Sequence, residues 1–264
     1  MAGARLSHRA ALITGGATGI GLETARQLRA LGAEVVICGR RAEIVESAVR
    51  SIPGLRGIAC DIGHEEGIRS LLDYVRSQQL QIDLLMNNAG VQVQTDLAKD
   101  DDSVLAAIEE ELQINLLAPM KLTKRLLPAL LARPGGAILN VVSLLGVMPK
   151  GNAPGYCASK AGLIAFSKSL RALLHETELK VFVVYPPLVD TPMARGRGAS
   201  KMPVEDFVRE MLAQMEAGKV DIRVGQARTL LALDRIAPSL AGWWTRRISA
   251  ERKLPADSNQ PSPR

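Results

Sequence analysis

Ala10-Ala-Leu-Ile-Thr14, followed by Gly15-Gly-Ala-Thr18-Gly19-Ile20-Gly21, is the stretch that decides the fold. A short apolar run reads as a buried strand, and the glycines stop it. Ile20, Leu22, Ala25, Leu28 and Leu31 then recur at helical spacing. Strand, glycine loop and helix in that order aim backbone N–H groups and a helix N-terminus at one point, which suits a phosphate. Gly15 supplies a backbone open to positive φ, and Gly19 and Gly21 let a pyrophosphate and the neighbouring strand come close. The competing reading is an ordinary glycine-rich turn, so the rest of the chain has to decide.

Downstream the alternation continues. Short apolar runs predict strands over 34–38, 56–60, 82–86, 137–142, 180–185 and 220–224. Helical patterns fill 66–79, 98–111 with an amphipathic extension to Leu131, 156–176, 205–217 and 226–240. Crossovers of that length suit parallel pairing. The expected fold is α/β, a Rossmann-type doubly wound parallel sheet flanked by helices on both faces. In such sheets ligands bind beyond the carboxyl ends of the strands, so the residues there come next.

Gly39-Arg40-Arg41 follows the second strand. An acidic residue at this turn binds the 2′-hydroxyl of NAD, whereas an Arg accommodates the 2′-phosphate of NADP. No carboxylate occupies the turn, so Arg40 points to NADP, with NAD possible; Arg41 can equally open a solvated helix. Asp61-Ile62 ends the third strand, where the Asp61 carboxylate can accept from an adenine amino group, cap the next helix, or do both. Asn87-Asn88-Ala89-Gly90 follows the fourth: Asn ties down a turn, and Gly90 permits close approach to a ligand. Residues 193–203, rich in Gly, Arg, Met and Ser, read as either a mobile lid or a disordered insert.

Ser143 places a hydroxyl at the end of the fifth strand, ahead of a Gly- and Pro-rich bend. Tyr156 and Lys160, four apart near the start of a helix, share one face. A neighbouring ammonium lowers a phenol's pKa, making a proton donor and acceptor. Asn115 interrupts an apolar helical face; it either locks two elements together or holds a water.

The chain's 264 residues fit one domain, expected over 1–250, with a polar, proline-bearing tail over 251–264. No apolar run of membrane-spanning length appears, and the start is too short and polar for a signal peptide, so a cytoplasmic address is expected. Cys38, Cys60 and Cys157 lie far apart in sequence, which predicts free thiols, no disulfide and no metal site. The net charge of +6 sits mainly in the last quarter, where Trp243 and Trp244 neighbour Arg246 and Arg247. That segment reads either as a contact surface or, preferably, as a solvated face with a packed Trp. No nucleic-acid partner and no membrane contact is expected.

With these residues placed, 8–225 resembles the short-chain dehydrogenase/reductase family. Thr14 to Gly21, including Thr18 and Ile20, looks like its nucleotide loop, and Asp61 looks like its adenine contact. Asn87 to Gly90, Asn115, Ser143 and Tyr156-x-x-x-Lys160 look like its other signatures. The Pro-Pro-x-Val-Asp-Thr run and the helix after Met202 look most similar to bacterial DltE-like oxidoreductases. The resemblance implies hydride transfer between NADP(H) and a small carbonyl or secondary-alcohol substrate. Tyr156 would be the acid/base, Ser143 would hold the oxygen, and Lys160 would lower the phenol's pKa and bind the ribose. Asn115 would anchor a water, and Val189 and Thr191 would hold the carboxamide. It also implies a homodimer or homotetramer, with the 156–176 helix at the interface. One departure is Pro186-Pro187 where the family usually has Pro-Gly; the second Pro lacks an N–H and restricts the bend. Leu144, Met148, Pro187, Met193 and Met202 are candidates for pocket lining. The rival readings are an NAD-linked alcohol dehydrogenase and a non-catalytic dinucleotide sensor or scaffold that uses the basic C-terminus.

Overall fold

The structure, a computed structural model, describes residues 9–98, 102–198 and 200–236. Seven strands form one parallel sheet: β1 (Ala10–Thr14), β2 (Glu34–Gly39), β3 (Arg56–Ala59), β4 (Leu84–Asn87), β5 (Ala137–Val141), β6 (Lys180–Tyr185) and β7 (Asp221–Arg223). Their order is β3-β2-β1-β4-β5-β6-β7. Chain progress therefore reverses between β1 and β4, and a crevice opens at the carboxyl ends of those two strands.

The inner strands β1, β2, β4, β5 and β6 are apolar on both faces because helices cover both, whereas the edge strands β3 and β7 carry Arg56, Asp221 and Arg223. Ala11, Ile13, Val35, Ile37, Leu84, Met86 and Phe182 face one side. There they meet α1 (Gly19–Ala30), α2 (Ala42–Ser51) and α7 (Val204–Glu216) through Leu28, Val45, Phe207 and Met211. Leu12, Val36, Leu85, Ile138 and Val181 face the other. Their partners are α3 (Glu65–Ser77), α5 (Ala118–Leu131) and α6 (Pro154–Leu173), through Ile68, Leu71, Leu122, Leu130 and Leu170. α8 (Ala227–Ile236) closes the described chain, with Ala227 beside Val142, Leu163 and Tyr185.

Three sequence expectations change. The helix expected from 98 begins later, as α4 (Ser103–Leu112), because Asp96 Oδ1 accepts from the Ala98 N–H and turns the chain first. Residues 113–117 form a single π-helical turn between α4 and α5, a widened turn of the kind found at functional sites. The segment after 192 is not a disordered insert in its described part. Asp190 N–H donates to Met202 O, and Met202 N–H donates to Leu188 O, so the two ends of the segment are pinned together. The tryptophan pair and the 251–264 tail lie outside the described residues.

α6 is fixed on the sheet by a buried polar ladder. Asn87 Nδ2 donates to Asn140 Oδ1 at 2.8 Å, Asn140 Nδ2 donates to Ser167 Oγ at 2.8 Å, and Ser167 Oγ donates to Leu163 O at 2.6 Å. Removing one member strands its neighbours in the core, at about 1–3 kcal/mol each. The ladder thus sets the position of the helix that carries Tyr156 and Lys160.

Candidate active site

The glycine loop is knotted to the β4 loop. Asn88 Nδ2 donates to Thr14 O and to Gly15 O, both at 3.0 Å. Thr14 Oγ1 accepts from the N–H groups of Asn88 and Ala89, at 3.0 and 3.1 Å. Gly15 takes φ +61°, the left-handed region where a side chain is strained, and a Cβ there would lie 2.8 Å from Ala89 Cα. A Cβ on Gly21 would lie 2.5 Å from Gly15 O, so the turn closes only without one. Thr18 precedes α1 in extended conformation and makes no side-chain cap, which leaves first-turn N–H groups for an anion. Across the crevice, Thr191 packs on Gly19, whose Cβ would meet Thr191 Cγ2 at 3.1 Å. Val189 is buried beneath it and pairs with Met202.

Gly15, Arg40, Asp61, Ile62, Ala89 and Gly90 line one pocket beside the loop. Asp61 Oδ1 accepts from Gly63 N–H at 2.9 Å, a turn ahead of α3, and does not cap that helix, whose first turn follows His64. Arg40 Nη1 meets Glu110 Oε1 at 2.8 Å, with the side chains 51% and 47% exposed. The turn after β2 has no carboxylate in sequence, yet α4 delivers one seventy residues away. An exposed pair of this kind is worth about 0–1 kcal/mol and yields readily to a stronger anion. The same pocket holds Cys38 and Cys60, which the sequence separates and neighbouring strands bring together. Both thiols are free. Their mutual interaction, with burial, pushes the Cys38 thiol up; the same interaction lowers the Cys60 thiol against its own burial.

Ser143, Tyr156, Lys160 and Asn115 converge at the end of β5. The Tyr156 phenol lies near the Ser143 hydroxyl, which acts to lower its pKa, and the Ser143 oxygen accepts from Leu145 N–H at 3.1 Å. Lys160 Nζ donates to Val141 O at 2.8 Å and stands 5.9 Å from the Tyr156 ring centre. Asn115, at the π-helical turn, accepts from Val91 N–H at 2.8 Å and donates to Val91 O and Ser159 Oγ at 2.9 and 3.1 Å. The side chain thus locks the β4 loop to α6, one of the two expected roles. Gly90 fits between Asn115 and Lys160, since a Cβ there would lie 3.1 Å from Asn115 Oδ1 and 3.5 Å from Lys160 Nζ.

The expected lowering of the phenol by Lys160 does not emerge. Burial pushes the Tyr156 pKa up, opposed first by the Ser143 hydrogen bond and then by the charge of Arg197. Lys160 is only 3% exposed, and the same loss of water drives its own pKa down from 10.5 to about 8. A lysine that sheds its proton easily is a weak source of fixed positive charge.

Sequence reasoning missed three residues here. Arg197 reaches back from the pinned segment to bond Gln92 Oε1 after β4. Glu111, fully buried, accepts from Val93 N–H at 2.7 Å. Nothing in the acidic run 109–111 marked it out, since only the fold buries it. Among the pocket candidates, Met148 is buried, Met193 is exposed, and Met202 packs on the core beside the sheet. A wider groove between α3 and α5, lined by Arg69, Arg76, Arg125 and Arg133, contains none of these site residues. Among the described residues no cluster of three His, Cys, Asp or Glu is arranged to hold a metal ion, and no helix is long and apolar enough to cross a membrane.

The sequence profile of the short chain dehydrogenase family matches residues 9–202. The chain belongs to that family. Its members are oxidoreductases, and the crevice described above is this member's candidate active site. It is 33% identical to the uncharacterized oxidoreductase DltE of Bacillus subtilis, over 83% of this chain and 88% of that one. The 3-oxoacyl-(acyl-carrier-protein) reductase FabG of Escherichia coli is 30% identical over 86% of this chain and 91% of its own. A solved short chain dehydrogenase from Burkholderia cenocepacia, in complex with NADP, superposes with TM-score 0.80 at 25% identity, covering 91% of this chain and 98% of that one.

The buried lysine gives a pH signature within this short chain dehydrogenase. Its ammonium holds a proton to about pH 8 when folded and to 10.5 when unfolded. Between those values the unfolded chain binds more protons, so stability rises with pH there and is flat below. The unfolding free energy of wild type minus Lys160→Met is expected to grow by roughly 3 kcal/mol from pH 7 to 10.5. Urea titrations across that range measure it, and a constant difference would contradict the burial account.

Proposed function

We propose that the protein is an NADP(H)-dependent carbonyl reductase or alcohol dehydrogenase. The observation that carries this reading is the meeting of a hydroxyl, a phenol and an amine (Ser143, Tyr156, Lys160) beside a glycine loop built for a phosphate. The close approach at Gly21, the uncapped start of α1 and the adjacent Arg40 fit a dinucleotide. Thr14, Gly15, Thr18, Gly19, Ile20 and Gly21 would hold the pyrophosphate side. Arg40, Asp61 and Ile62 would hold the adenosine, Asn88, Ala89 and Gly90 the middle, and Val189 and Thr191 the carboxamide end. When bound, the nicotinamide supplies or accepts the hydride.

The residues do the rest. The Ser143 hydroxyl orients the substrate oxygen next to the phenol. Tyr156 gives its proton to that oxygen in reduction and takes one in oxidation. Because burial raises the phenol's pKa, it is protonated near neutral pH and suited to reduction there. The Lys160 amine, beside Gly90 and Tyr156, is placed to bind the ribose and pass a proton. Leu144, Met148 and Met193 supply an apolar wall, which favours a small, uncharged carbonyl. The reductase name of FabG and the NADP in the Burkholderia structure support the same chemistry. We also infer a cytoplasmic homodimer or homotetramer, with the outer face of α4 and α6 as its contact. Exposed Leu105 and Leu173 support this, and light scattering reads it.

One observation favours an NAD-linked second reading: Glu110 already occupies Arg40. If Arg40 turns to a 2′-phosphate, Arg40→Ala should weaken NADPH binding by roughly tenfold to a hundredfold and leave NADH unchanged. Fluorescence titration with both cofactors decides, and tighter NADH binding in the wild type would overturn the NADP assignment. Tyr156→Phe should lower kcat by about 10²–10⁴ while NADPH still binds. Wild-type reduction should hold up to high pH, and oxidation should climb with pH as the phenol ionises. A cellular role that survives in Tyr156→Phe, with turnover lost, would favour the sensor or scaffold reading.

A further inference from the structure

Glu111 has no part in the chemistry above, yet it is a carboxylate with 0% exposure one π-helical turn from Asn115. Burying a carboxylate is costly, and its pKa is raised by that burial. Such a group persists where neighbours need a negative charge or a strong acceptor.

Its neighbours belong to the loop after β4 and to the start of α6. Oε1 accepts from Val93 N–H at 2.7 Å, two residues past the Val91 that Asn115 clamps. Oε2 faces the start of α6: a Cβ on Gly155 would lie 2.4 Å from it, so that glycine lets the carboxylate come against the helix backbone. The Tyr156 N–H is close enough to stabilise the charge, although Oε2 makes no full hydrogen bond. α6 has no capping side chain of its own, since Ala153 precedes it and Pro154 contributes no N–H. A twenty-residue helix carries about half a positive charge at that end, and Glu111 is the anion that meets it.

We propose that Glu111 is a positioning residue for the reaction, its carboxylate holding the first turn of α6, and with it the Tyr156 hydroxyl, against the 91–93 segment. The proposal rests on the reading of Tyr156 as the acid/base. Together Glu111 and Asn115 make a two-point clamp. Residues four apart across the π-helical turn grip the β4 loop on one side and α6 on the other, through Tyr156 and Ser159. The charged groups around it are Glu110 on its own helix, Lys150 ahead of α6 and the Cys157 thiol on α6. The phenol itself is faced by Ser143, Arg197, Cys157 and Glu111.

A structural prop and a positioning residue separate in the phenol's titration. With tyrosine ring carbons labelled, NMR follows Tyr156, assigned by its absence in Tyr156→Phe. In Glu111→Gln, which keeps an acceptor for Val93 N–H and removes the negative charge, Tyr156 is expected to ionise at lower pH than in wild type. With NADPH and phenanthrenequinone as the carbonyl probe, Glu111→Ala is expected to lose about ten- to a hundredfold in kcat with NADPH affinity unchanged. An unmoved titration overturns the proposal, including when kcat falls in step with Tm, since that pattern belongs to a prop. If Glu111→Ala fails to fold, Glu111→Gln alone decides. Turnover that survives in Tyr156→Phe would sink the acid/base reading, whereas the titration still reports whether Glu111 governs the phenol.

Discussion

A lysine held out of water is the constraint on which this site depends. Lys160 Nζ lies against the Val141 carbonyl under nearly complete cover, and desolvation alone brings its pKa to about 8. To hold it there, α6 must sit tightly on β5. The Asn87–Asn140–Ser167 ladder and the apolar contacts of Leu163 and Leu170 do that. The same placement buries the phenol one turn earlier and raises its pKa. Burial of the Lys160 ammonium costs stability, a trade expected where function and folding compete for one position, as in the mechanism proposed above.

The crevice follows from topology. Reversal of chain progress between β1 and β4 leaves two loops side by side, and Thr14 and Asn88 stitch them into one rigid floor. The stitching uses backbone carbonyls of the glycine loop, and no Thr18 side-chain cap takes up the first N–H groups of α1. The opposite wall is the 188–202 segment, closed on itself at Met202 and resting on Gly19 through Thr191. Floor and wall thus touch at the position where an anion would lie.

Much of this was legible from the chain. Continuous apolar runs such as 10–14 and 180–185 gave strands with the observed bounds, because strands buried on both faces admit few polar residues. Gly15 and the Tyr156–Lys160 spacing were also readable, since each depends on local backbone geometry. What depends on distant elements was not. The Arg40–Glu110 pair, the Cys38–Cys60 contact and the Gln92–Arg197 bond join residues that only the crossovers bring together. The sign of the phenol's shift was misjudged for a related reason: adjacency of Lys160 was visible, but the burial that outweighs it was not. That Asp61 does not cap the next helix, and that Asn115 ties the Val91 backbone to α6, could be read only from their hydrogen-bond partners.

The account stands on direct hydride transfer beside Tyr156. The most direct measurement supplies NADPH carrying deuterium at the nicotinamide C4 position, with a panel of small aldehydes and ketones, and locates the label by NMR. The account predicts deuterium on the former carbonyl carbon of the alcohol product and solvent-derived hydrogen on its oxygen. Tight NADPH binding with no label transferred to any carbonyl carbon would contradict it.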